Sequence, residues 1–545
     1  MILFFCFIIA VFVTMVLIPP LMRSSAWLRV VDLPDARKVH TEVIPRIGGV
    51  AMVAGALLPM VMWLTPHREI IGFVVGIIVI LFFGVWDDRQ NLDYRLKFLG
   101  QIIAVLIVVL YGGVVIKFVP FWGVDPLPSY VGIPLTVFAL LGITNAINLA
   151  DGLDGLAGGT TLLSLGMVAV MAYMADGMDL MVITVSVMGS ILGFLRYNTY
   201  PASIFMGDGG SQFLGFSVGV LVIRLTQDVN PALSPAVAIM ILGLPILDTL
   251  MVMGQRIYER RSPFSPDRNH IHHKLLVLGF DHYHAVFLIY LVQSILVFGA
   301  YFLRFQSDSL IIGLYLLFCA AVIVFFQSAT RAGWHVHAPQ EARQDSLIRR
   351  GVLWLREDQR LLKVAHYFAA IAITLYFLLV AMFVSSVPRD IGVLAWWLLG
   401  VLLVLFFKRS GQPFNMIERA VTYITAVFVV YLAQMAPGSL VEYDRYSNIF
   451  FVMLAIAIGI GFRFAQADRF RITPMDFLVI LIAVIVPKLP GIHLQNANLG
   501  EGVIKVIILF YGIELVLSNI WRRWNLLRPV ICATLLVLAA RATLL

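Results

Sequence analysis

The sequence predicts an all-α polytopic membrane protein. Of its 545 residues, 61% are hydrophobic and 13% are charged, and the mean hydropathy is +0.93. A typical soluble domain is about 45–50% apolar and about 25% charged. Apolar runs of about 20 residues, the length of a membrane-spanning helix, recur along the whole chain. This composition excludes a single soluble domain, and it excludes a disordered chain, which needs low hydrophobicity and high net charge.

Eighteen apolar runs predict an eleven-span core followed by a seven-span C-terminal extension. The first run, Met1–Pro20, has no basic start and no small-residue cleavage site, so we interpret it as a span rather than a signal peptide. The runs of the core begin near residues 3, 48, 70, 98, 131, 156, 180, 212, 233, 285 and 309. The runs of the extension begin near residues 364, 391, 420, 447, 474, 503 and 527.

Charges in the gaps between the runs predict the orientation of the chain. Basic residues concentrate in alternate gaps: five lie in 21–47, whereas 118–130, 174–180 and 226–232 contain none. Because Lys and Arg favour the cytoplasmic side, we expect the N-terminus outside and the basic gaps in the cytoplasm. The net charge of +8 therefore indicates lipid head groups and anionic substrates as partners, and no nucleic acid.

One segment differs from the rest in composition. Residues 331–363 hold eleven charged residues in 33, which predicts a charged cytoplasmic linker between a membrane domain over 1–330 and a further membrane region over 364–545. The three cysteines, Cys6, Cys319 and Cys532, lie far apart in apolar runs. This spacing excludes a disulfide framework and a Cys-x-x-Cys metal site.

Ionisable and amide side chains cluster in five gaps of the core, all on the predicted cytoplasmic face. An Asp at the centre of a membrane helix costs about 2.5–3.5 kcal/mol, so such residues near a membrane usually serve a function. The first gap contains Lys38 and His40, for which positive-inside charges are the plainer interpretation. The second contains Asp87 and Asp88, which repel each other unless a cation lies close. A solvated helix end is the alternative there.

The third gap is the richest in oxygen ligands. Four side chains recur at every third position: Asn145, Asn148, Asp151 and Asp154. Neighbours in this series are roughly 60° apart on an α-helix, so one helix face cannot hold all four. Gly152 and Gly155 indicate that the helix ends and the chain turns there. Carboxylate and amide oxygens suit Mg²⁺ rather than zinc. A polar turn with an Asp helix cap is the alternative.

The fourth and fifth gaps add candidate anion-binding groups. Residues 207–211 read Gly-Asp-Gly-Gly-Ser and lead into a helix, whose free backbone N–H groups can hold a phosphate. Asp208 would repel phosphate unless it also holds a metal, and a helix cap by Ser211 is the alternative. Five of the eleven histidines lie between residues 270 and 284. No cysteine lies nearby to favour zinc, so an anion pocket is predicted from Arg268, His270, His272 and His273.

Together the five gaps provide the groups that phosphoryl transfer needs. They contain oxygen ligands for a metal ion, a carboxylate that can position a nucleophile, and cationic side chains for anions. Their position at the membrane surface predicts one lipid-borne substrate and one soluble substrate.

Five ordered stretches of the first 330 residues resemble the polyprenyl-phosphate N-acetylhexosamine-1-phosphate transferases, which form glycosyl transferase family 4. These are 32–49, 84–91, 145–159, 205–215 and 262–279. The resemblance implies an enzyme of the bacterial inner membrane that transfers an amino-sugar-1-phosphate, with GlcNAc-1-phosphate as first choice, from a UDP-sugar to undecaprenyl phosphate. It implies release of UMP, a need for Mg²⁺ or Mn²⁺, and a first step of cell-surface polysaccharide synthesis. It leaves open a homodimer.

The resemblance also implies roles for individual residues. Asp87 and Asp88 match the family's paired catalytic aspartates, with Asp87 as the base or activator for the lipid phosphate. Asn148 and Asp208 match ligands of the metal. The substrate-binding positions are Lys38, His40, Asn145, Asp151, Asp154, Gly209, Ser211, Arg268, His270, His272 and His273.

Two details favour the WecA-like branch of the family over the MraY-like branch. Arg89-Gln90-Asn91 follows the aspartate pair, where MraY-like enzymes carry Lys at the last position, and the histidine segment reads His-Ile-His-His rather than three consecutive histidines. Both details disfavour a phospho-muramoyl-pentapeptide, which is the alternative substrate. The seven-span extension resembles nothing in the family, so we expect the chemistry not to need it.

A transporter or flippase of lipid-linked sugars is an alternative of a different class. Such a protein places ionisable residues near the bilayer midplane and breaks helices in two symmetric halves. Here the polar clusters lie at span ends on one face, and the halves are unlike. Asp248, shortly after Pro245, is the one candidate for a transport role, and we interpret it as a polar residue at a helix end.

Overall fold

Helices dominate the computed structural model, which describes residues 2–32, 43–123, 125–260, 262, 269–336, 360–384, 386–408, 416–435, 441–464, 499–518 and 527–544. These residues fall into two compact units, one up to residue 336 and one from residue 360 onward. Ten of the described helices are long and apolar enough to cross a membrane. The prediction of an all-α polytopic membrane protein is therefore confirmed.

The first unit is a bundle of helices. They are α1 (Ile2–Leu28), α2 (Gly48–Trp63), α3 (Arg68–Gln90), α4 (Tyr94–Leu106), α5 (Ser129–Ala150), α6 (Leu156–Met174), α7 (Met178–Asn198), α8 (Gly207–Arg224), α9 (Val237–Ile241), α10 (Gly243–Tyr258), α11 (Ile271–Val277), α12 (His282–Leu303) and α13 (Asp308–Arg331). Single π-helical turns, Ile107–Tyr111 and Leu225–Val229, extend α4 and α8. Each of the eleven apolar runs predicted here corresponds to a helix, but the ninth is divided between α9 and α10.

The division of the ninth run follows from its proline. Pro245 has no N–H group, so the carbonyl of Ile241 four residues earlier lacks a helical donor. Gln293 on α12 and Ser164 on α6 both donate to this carbonyl, each at 2.8 Å. A buried carbonyl without a donor would be destabilising, so these two side chains stabilise the bend. The sequence pattern did not predict the division, because the apolar run continues through it.

Helix α8 lies at the centre of the first unit. The apolar window of the span Gly207–Val229 is completely buried, whereas 17% of the corresponding window in α13 is buried. Helix α8 packs against α2, α3, α5 and α6. Its small residues permit this, since Gly215 lies directly against the backbone of Thr144 on α5. The N-terminal end of α8 is thereby surrounded by the ends of several helices.

Helices α3 and α8 meet backbone to backbone. A side chain at Gly84 on α3 would overlap the Cα and N atoms of Gly209 on α8. On α2, a side chain at Gly49 would in the same way overlap the backbone of Gly210. Glycine is needed at these positions because any Cβ would push the helices apart. The contact brings the C-terminal end of α3 to the N-terminal end of α8.

A short antiparallel ladder connects α1 to α2. Its strands are β1 (Val31–Asp32) and β2 (Ile44–Pro45), with Val31 opposite Pro45 and Asp32 opposite Ile44. The Phe205 N–H just before α8 donates to the Pro45 carbonyl at 2.7 Å. The ladder therefore fixes the start of α2 beside the start of α8.

The second unit is also helical. Its helices are α14 (Arg360–Phe383), α15 (Arg389–Lys408), α16 (Met416–Met435), α17 (Val441–Phe464), α18 (Leu499–Ser518) and α19 (Leu527–Leu544). They correspond to six of the seven predicted spans, and the run near residue 474 lies outside the described residues. A buried ion pair of 3.0 Å joins Glu418 on α16 to Arg528 on α19. Most of the predicted linker over 331–363 also lies outside the described residues, and the domain boundaries stay a prediction.

Replacing Gly84 by Ala is expected to separate α3 from α8. The added methyl group meets the backbone of Gly209, which cannot turn aside as a flexible side chain would. Overpacking of this kind costs about 1–3 kcal/mol, so the thermal unfolding midpoint of the purified protein should fall. Gly142→Ala on α5 is the control, because a methyl group there meets no atom within 4 Å. Equal midpoints for the two variants would contradict the backbone contact.

Candidate active site

Asp87 lies in the last turn of α3, where the helix ends in a left-handed residue. Asn91 has φ 49° and donates its N–H to the Asp87 carbonyl at 2.7 Å. The Asp87 carboxylate is buried, with Oδ1 accepting from the Leu92 N–H at 2.7 Å and Oδ2 lying 2.5 Å from Lys97 Nζ. Both oxygens are thus held in fixed directions.

Lys97 joins two of the predicted site residues. Its Nζ contacts Asp87 Oδ2 at 2.5 Å and Asp208 Oδ2 at 3.2 Å. Asp208 lies in the first turn of α8, so the ammonium group connects the end of α3 to the beginning of α8. Lys97 was not among the site residues predicted from the sequence. Its place in the same gap as the aspartate pair was the signal that could have identified it.

Asp88 has a different environment from its neighbour. Its Oδ1 accepts from the Asp208 N–H at 3.0 Å and its Oδ2 accepts from the Gly209 N–H at 3.3 Å. The first N–H groups of a helix have no partner within the helix, and a negative charge is favourable at that end. A residue of α3 therefore caps α8. The Asp87 carboxylate, in contrast, contacts the side chains of Lys97 and Asp208.

The two amides of α5 also differ. Asn148 Oδ1 accepts from Ser211 Oγ at 2.5 Å, which brings it to the first turns of α8. Asn145 lies one turn earlier, where its Nδ2 donates to Gln101 Oε1 at 2.8 Å and to the Leu141 carbonyl at 2.8 Å. Asn148 and Ser211 are therefore brought to the carboxylate group. Asn145 instead joins α5 to α4, a contact that the sequence analysis did not anticipate.

The turn after α5 carries Asp151 and Asp154 into the same region. Loss of hydration, together with the charges of Asp208 and Asp154, raises the pKa of Asp151 to about 7, although Arg46 opposes the shift. Asp154 Oδ2 accepts from the Ala202 N–H at 2.9 Å, which ties the turn to the segment before α8. The Asp151 carboxyl group is therefore close to changing its charge at neutral pH.

Buried side chains from other helices stabilise the turn after α5. Asn198 Oδ1 accepts from the Gly155 N–H at 2.9 Å, and Tyr290 donates its hydroxyl to the Gly155 carbonyl at 2.6 Å. Gly155 itself has φ 80°, a left-handed conformation that favours glycine. Asn198 and Tyr290 come from α7 and α12, far away in sequence, and no local pattern pointed to them.

The histidine segment divides into residues with separate surroundings. His270 is buried, its Nδ1 lies 2.7 Å from Asp248 Oδ2, and Asp248 Oδ1 accepts from the Ile271 N–H at 2.7 Å. Asp248 therefore orients His270 and caps α11 from a position inside α10, which corrects the interpretation of Asp248 as a residue at a helix end. Because the Asp248 carboxylate contacts Nδ1, the ring of His270 is held in one orientation.

His272 lies against the turn after α5. A side chain at Gly152 would overlap the His272 ring, so the two segments approach as closely as glycine permits. Burial, reinforced by the neighbouring His273, lowers the pKa of His272 to about 3. Its imidazole is therefore neutral at neutral pH and can take part in hydrogen bonds without adding positive charge. This differs from the cationic role that the predicted anion pocket assigned to the histidines as a group.

Three predicted site residues lie outside the described residues: Lys38, His40 and Arg268. The structure brings together the carboxylates of Asp87, Asp88 and Asp208 with the turn that carries Asp151. Gly209 serves by its backbone, through its N–H to Asp88 and its contact with Gly84.

The donor set of the cluster fits Mg²⁺. The Oδ2 atoms of Asp87 and Asp208 converge on one cationic group, the Lys97 ammonium, and the nearby donors are oxygens. Within the described part of the chain, no three His, Cys, Asp or Glu side chains form a group that could hold a metal. Mg²⁺ is commonly held by one or two carboxylates together with substrate phosphates and water. The cluster could therefore hold this ion through Asp208 and Asn148 once a phosphate is present.

Comparison with known proteins gives one consistent result. A model of glycosyl transferase family 4 matches residues 70–226. A probable undecaprenyl-phosphate N-acetylglucosaminyl 1-phosphate transferase of Bacillus subtilis is 36% identical over 324 residues, 59% of this chain and 89% of the relative. The undecaprenyl-phosphate alpha-N-acetylglucosaminyl 1-phosphate transferase of Escherichia coli K12 is 30% identical over 274 residues, 49% of this chain and 74% of the relative.

A third relative comes from another bacterial group. The decaprenyl-phosphate N-acetylglucosaminephosphotransferase of Mycolicibacterium smegmatis is 36% identical over 317 residues, 51% of this chain and 78% of the relative. The stretch matched by the family model contains the carboxylates and amides described above, from Asp87 on α3 to Ser211 on α8. The identity and the coverage of the relatives show that the chain belongs to glycosyl transferase family 4.

Proposed function

We propose that this protein transfers GlcNAc-1-phosphate from UDP-GlcNAc to undecaprenyl phosphate and releases UMP. The observation that carries the proposal is the meeting of Asp87 from α3 and Asp208 from α8 at Lys97, beside the turn that carries Asp151. The names of the relatives support the same donor sugar and lipid. The product would be the first lipid-linked intermediate of a cell-surface polysaccharide.

In this reaction an oxygen of the lipid phosphate attacks the β-phosphorus of UDP-GlcNAc. A bond forms between that oxygen and the phosphorus, and the bond from the phosphorus to the bridging oxygen breaks, so UMP leaves with the bridging oxygen. We assign Asp87 as the base that accepts the proton of the lipid phosphate where the phosphate carries one. The Leu92 N–H and Lys97 Nζ each contact one oxygen of this carboxylate and so fix its orientation.

Asp88 is assigned a positioning role. Its two oxygens accept from the N–H groups of Asp208 and Gly209, so its carboxylate holds the start of α8 in place. A bound Mg²⁺ at Asp208 and Asn148 would neutralise charge on the diphosphate as a Lewis acid. The turn that carries Asp151 and Asp154 is assigned to the nucleotide-sugar.

The proposal includes a location and an orientation. The many apolar helices and the bacterial relatives support a multi-pass protein of the bacterial plasma membrane. Basic gaps on one side of the chain support a cytoplasmic active site and an outer N-terminus. A cytoplasmic site also agrees with the substrate, because nucleotide sugars are made in the cytoplasm.

UMP release is the direct test of the proposed function. Full-length protein in detergent should release UMP from UDP-GlcNAc only when undecaprenyl phosphate is present, and UDP-GalNAc and UDP-muramoyl-pentapeptide should be poorer donors.

Asp87→Asn should lower turnover by about 10²–10⁴-fold, the contribution of a positioned base. Asp228→Asn is the matched control, because Asp228 pairs with Lys117 at 2.6 Å, away from this cluster. UMP release without the lipid, or full activity of Asp87→Asn, would contradict the proposal.

Asp248 should be needed to orient the histidine segment. In Asp248→Asn one of the two oxygens becomes an NH₂ donor, so either the Ile271 N–H loses its acceptor or His270 must present Nδ1 without a proton, and we expect a cost of about 1–3 kcal/mol. We expect a lower thermal midpoint and reduced turnover. Asp281→Asn is the control, because its 2.7 Å contact with His284 is exposed and worth about 0–1 kcal/mol. A similar effect of the two substitutions would show that Asp248 does not have this role.

The affinity for Mg²⁺ should depend on pH through Asp151. The raised pKa means that the carboxyl group is protonated below about pH 7 and charged above it. Cation affinity should therefore strengthen from about pH 6 to about pH 8 and then level off. Kinetic titrations with Mg²⁺ across this range would measure the dependence, and Asp151→Asn should flatten it. An unchanged pH dependence in that variant would assign the titration to another group.

A further inference from the structure

Arg46 lies beside the start of α8. Its N–H donates to the Val30 carbonyl at 3.1 Å, and a side chain at Gly207 would lie 2.6 Å from the Arg46 carbonyl oxygen. The next residues continue the contact, since the Gly49 N–H donates to the Met206 carbonyl at 2.9 Å. These contacts fix the backbone of Arg46 beside Gly207, which precedes Asp208 in the first turn of α8.

The Arg46 side chain pairs with Asp32 and remains partly exposed to water. Its Nη2 lies 2.9 Å from Asp32 Oδ1. The Asp32 side chain is 7% exposed, whereas the Arg46 side chain is 33% exposed. A guanidinium group has five N–H donors in a planar fork, and this contact uses one terminal nitrogen. A buried partner on the β ladder thus directs the guanidinium group of a side chain that remains partly exposed.

The carboxylates near Arg46 make a positive charge favourable at its position. Its guanidinium acts electrostatically on the carboxylates of Asp88, Asp151 and Asp208. A group of carboxylates repels phosphate unless cations offset it. Lys97 offsets part of this charge, but its ammonium group is already in contact with Asp87 and Asp208. The ion pair of Arg46 is with Asp32 on the β ladder, whereas Lys97 bridges two carboxylates of the cluster, so we regard Arg46 as the better candidate to meet a phosphate.

We infer that Arg46 is a substrate-binding residue, whose guanidinium, aligned by Asp32, binds phosphate oxygens at the edge of the carboxylate cluster. The inference rests on the proposed function and adds a residue that the predicted substrate-binding positions do not include. A planar guanidinium matches two oxygens of one phosphate, which a lysine ammonium does not. The phosphate belongs either to the diphosphate of the nucleotide-sugar or to the lipid acceptor, and the experiment below separates these sources.

A purely structural ion pair is the competing explanation. In that case Arg46 would serve to hold the β ladder, and its loss would lower stability and turnover without a selective effect on substrate affinity. A substrate-binding role requires the opposite pattern. The KM for one phosphate substrate should rise, whether or not loss of the Asp32 ion pair also lowers the melting temperature.

The experiment compares Arg46→Gln, Arg46→Lys and Asp32→Asn in the full-length protein. The KM for UDP-GlcNAc is measured at saturating undecaprenyl phosphate, and the KM for undecaprenyl phosphate at saturating UDP-GlcNAc. Arg46→Gln should raise one of these KM values by about tenfold or more. Arg46→Lys should recover part of the loss, and Asp32→Asn should raise the same KM by a smaller factor. Lys117→Gln, which breaks the ion pair with Asp228, is the control and should leave both KM values unchanged.

The outcomes separate the two sources and the two explanations. A rise confined to UDP-GlcNAc assigns the donor diphosphate to Arg46, and a rise confined to undecaprenyl phosphate assigns the lipid phosphate. Unchanged KM values in Arg46→Gln, or a fall in melting temperature and turnover alone, would overturn the inference. If the wild-type protein releases no UMP, the proposed function fails by itself. Calorimetric binding of UDP-GlcNAc with Mg²⁺, and of undecaprenyl phosphate in micelles, then tests Arg46 directly by the same comparison.

Discussion

The site depends on the contact between the end of α3 and the start of α8. Gly84 and Gly209 allow the two backbones to touch, and Asp88 uses both carboxylate oxygens to cap α8. This cap holds Asp208 within reach of Lys97 and Asp87. A buried carboxylate at a helix N-terminus is favourable for the dipole and satisfies N–H groups that would otherwise be unpaired. The same contact thus stabilises the fold and sets the distances among the acidic groups.

The membrane spans and most of the acidic site residues could be predicted from the sequence, because each produces a pattern within a short stretch of residues. Apolar runs give helices directly, and Asp87, Asp151 and Asp208 stand out because charge is costly near a membrane. Residues that act through distant contacts left no such signal. Asp248 lies within α10 rather than at the helix end that the sequence suggested, and its partner His270 follows 22 residues later, so the pairing could not be predicted from spacing. Asn145 shares the three-residue series with Asn148 yet pairs with Gln101, because the helix rotates it away.

The surroundings of Asp248 also bear on the transporter alternative. Transport would need this carboxylate to be available to a moving ion or substrate. Instead its two oxygens accept from the Ile271 N–H and contact His270, both at 2.7 Å. The break between α9 and α10, another feature associated with transport, is closed by Gln293 and Ser164. Both features therefore have a structural use that serves an enzyme.

The complete burial of α8 has a mechanical meaning for a protein in a bilayer. Lipids of different chain length tilt or strain the helices that touch them, at fractions of a kcal/mol for each ångström of mismatch. The apolar window of α8 is enclosed by protein, whereas α13 is largely open. Changes in membrane thickness therefore act first on outer helices such as α13. The buried part of α8, which follows directly on Asp208 in the first turn, is separated from the acyl chains by the surrounding helices.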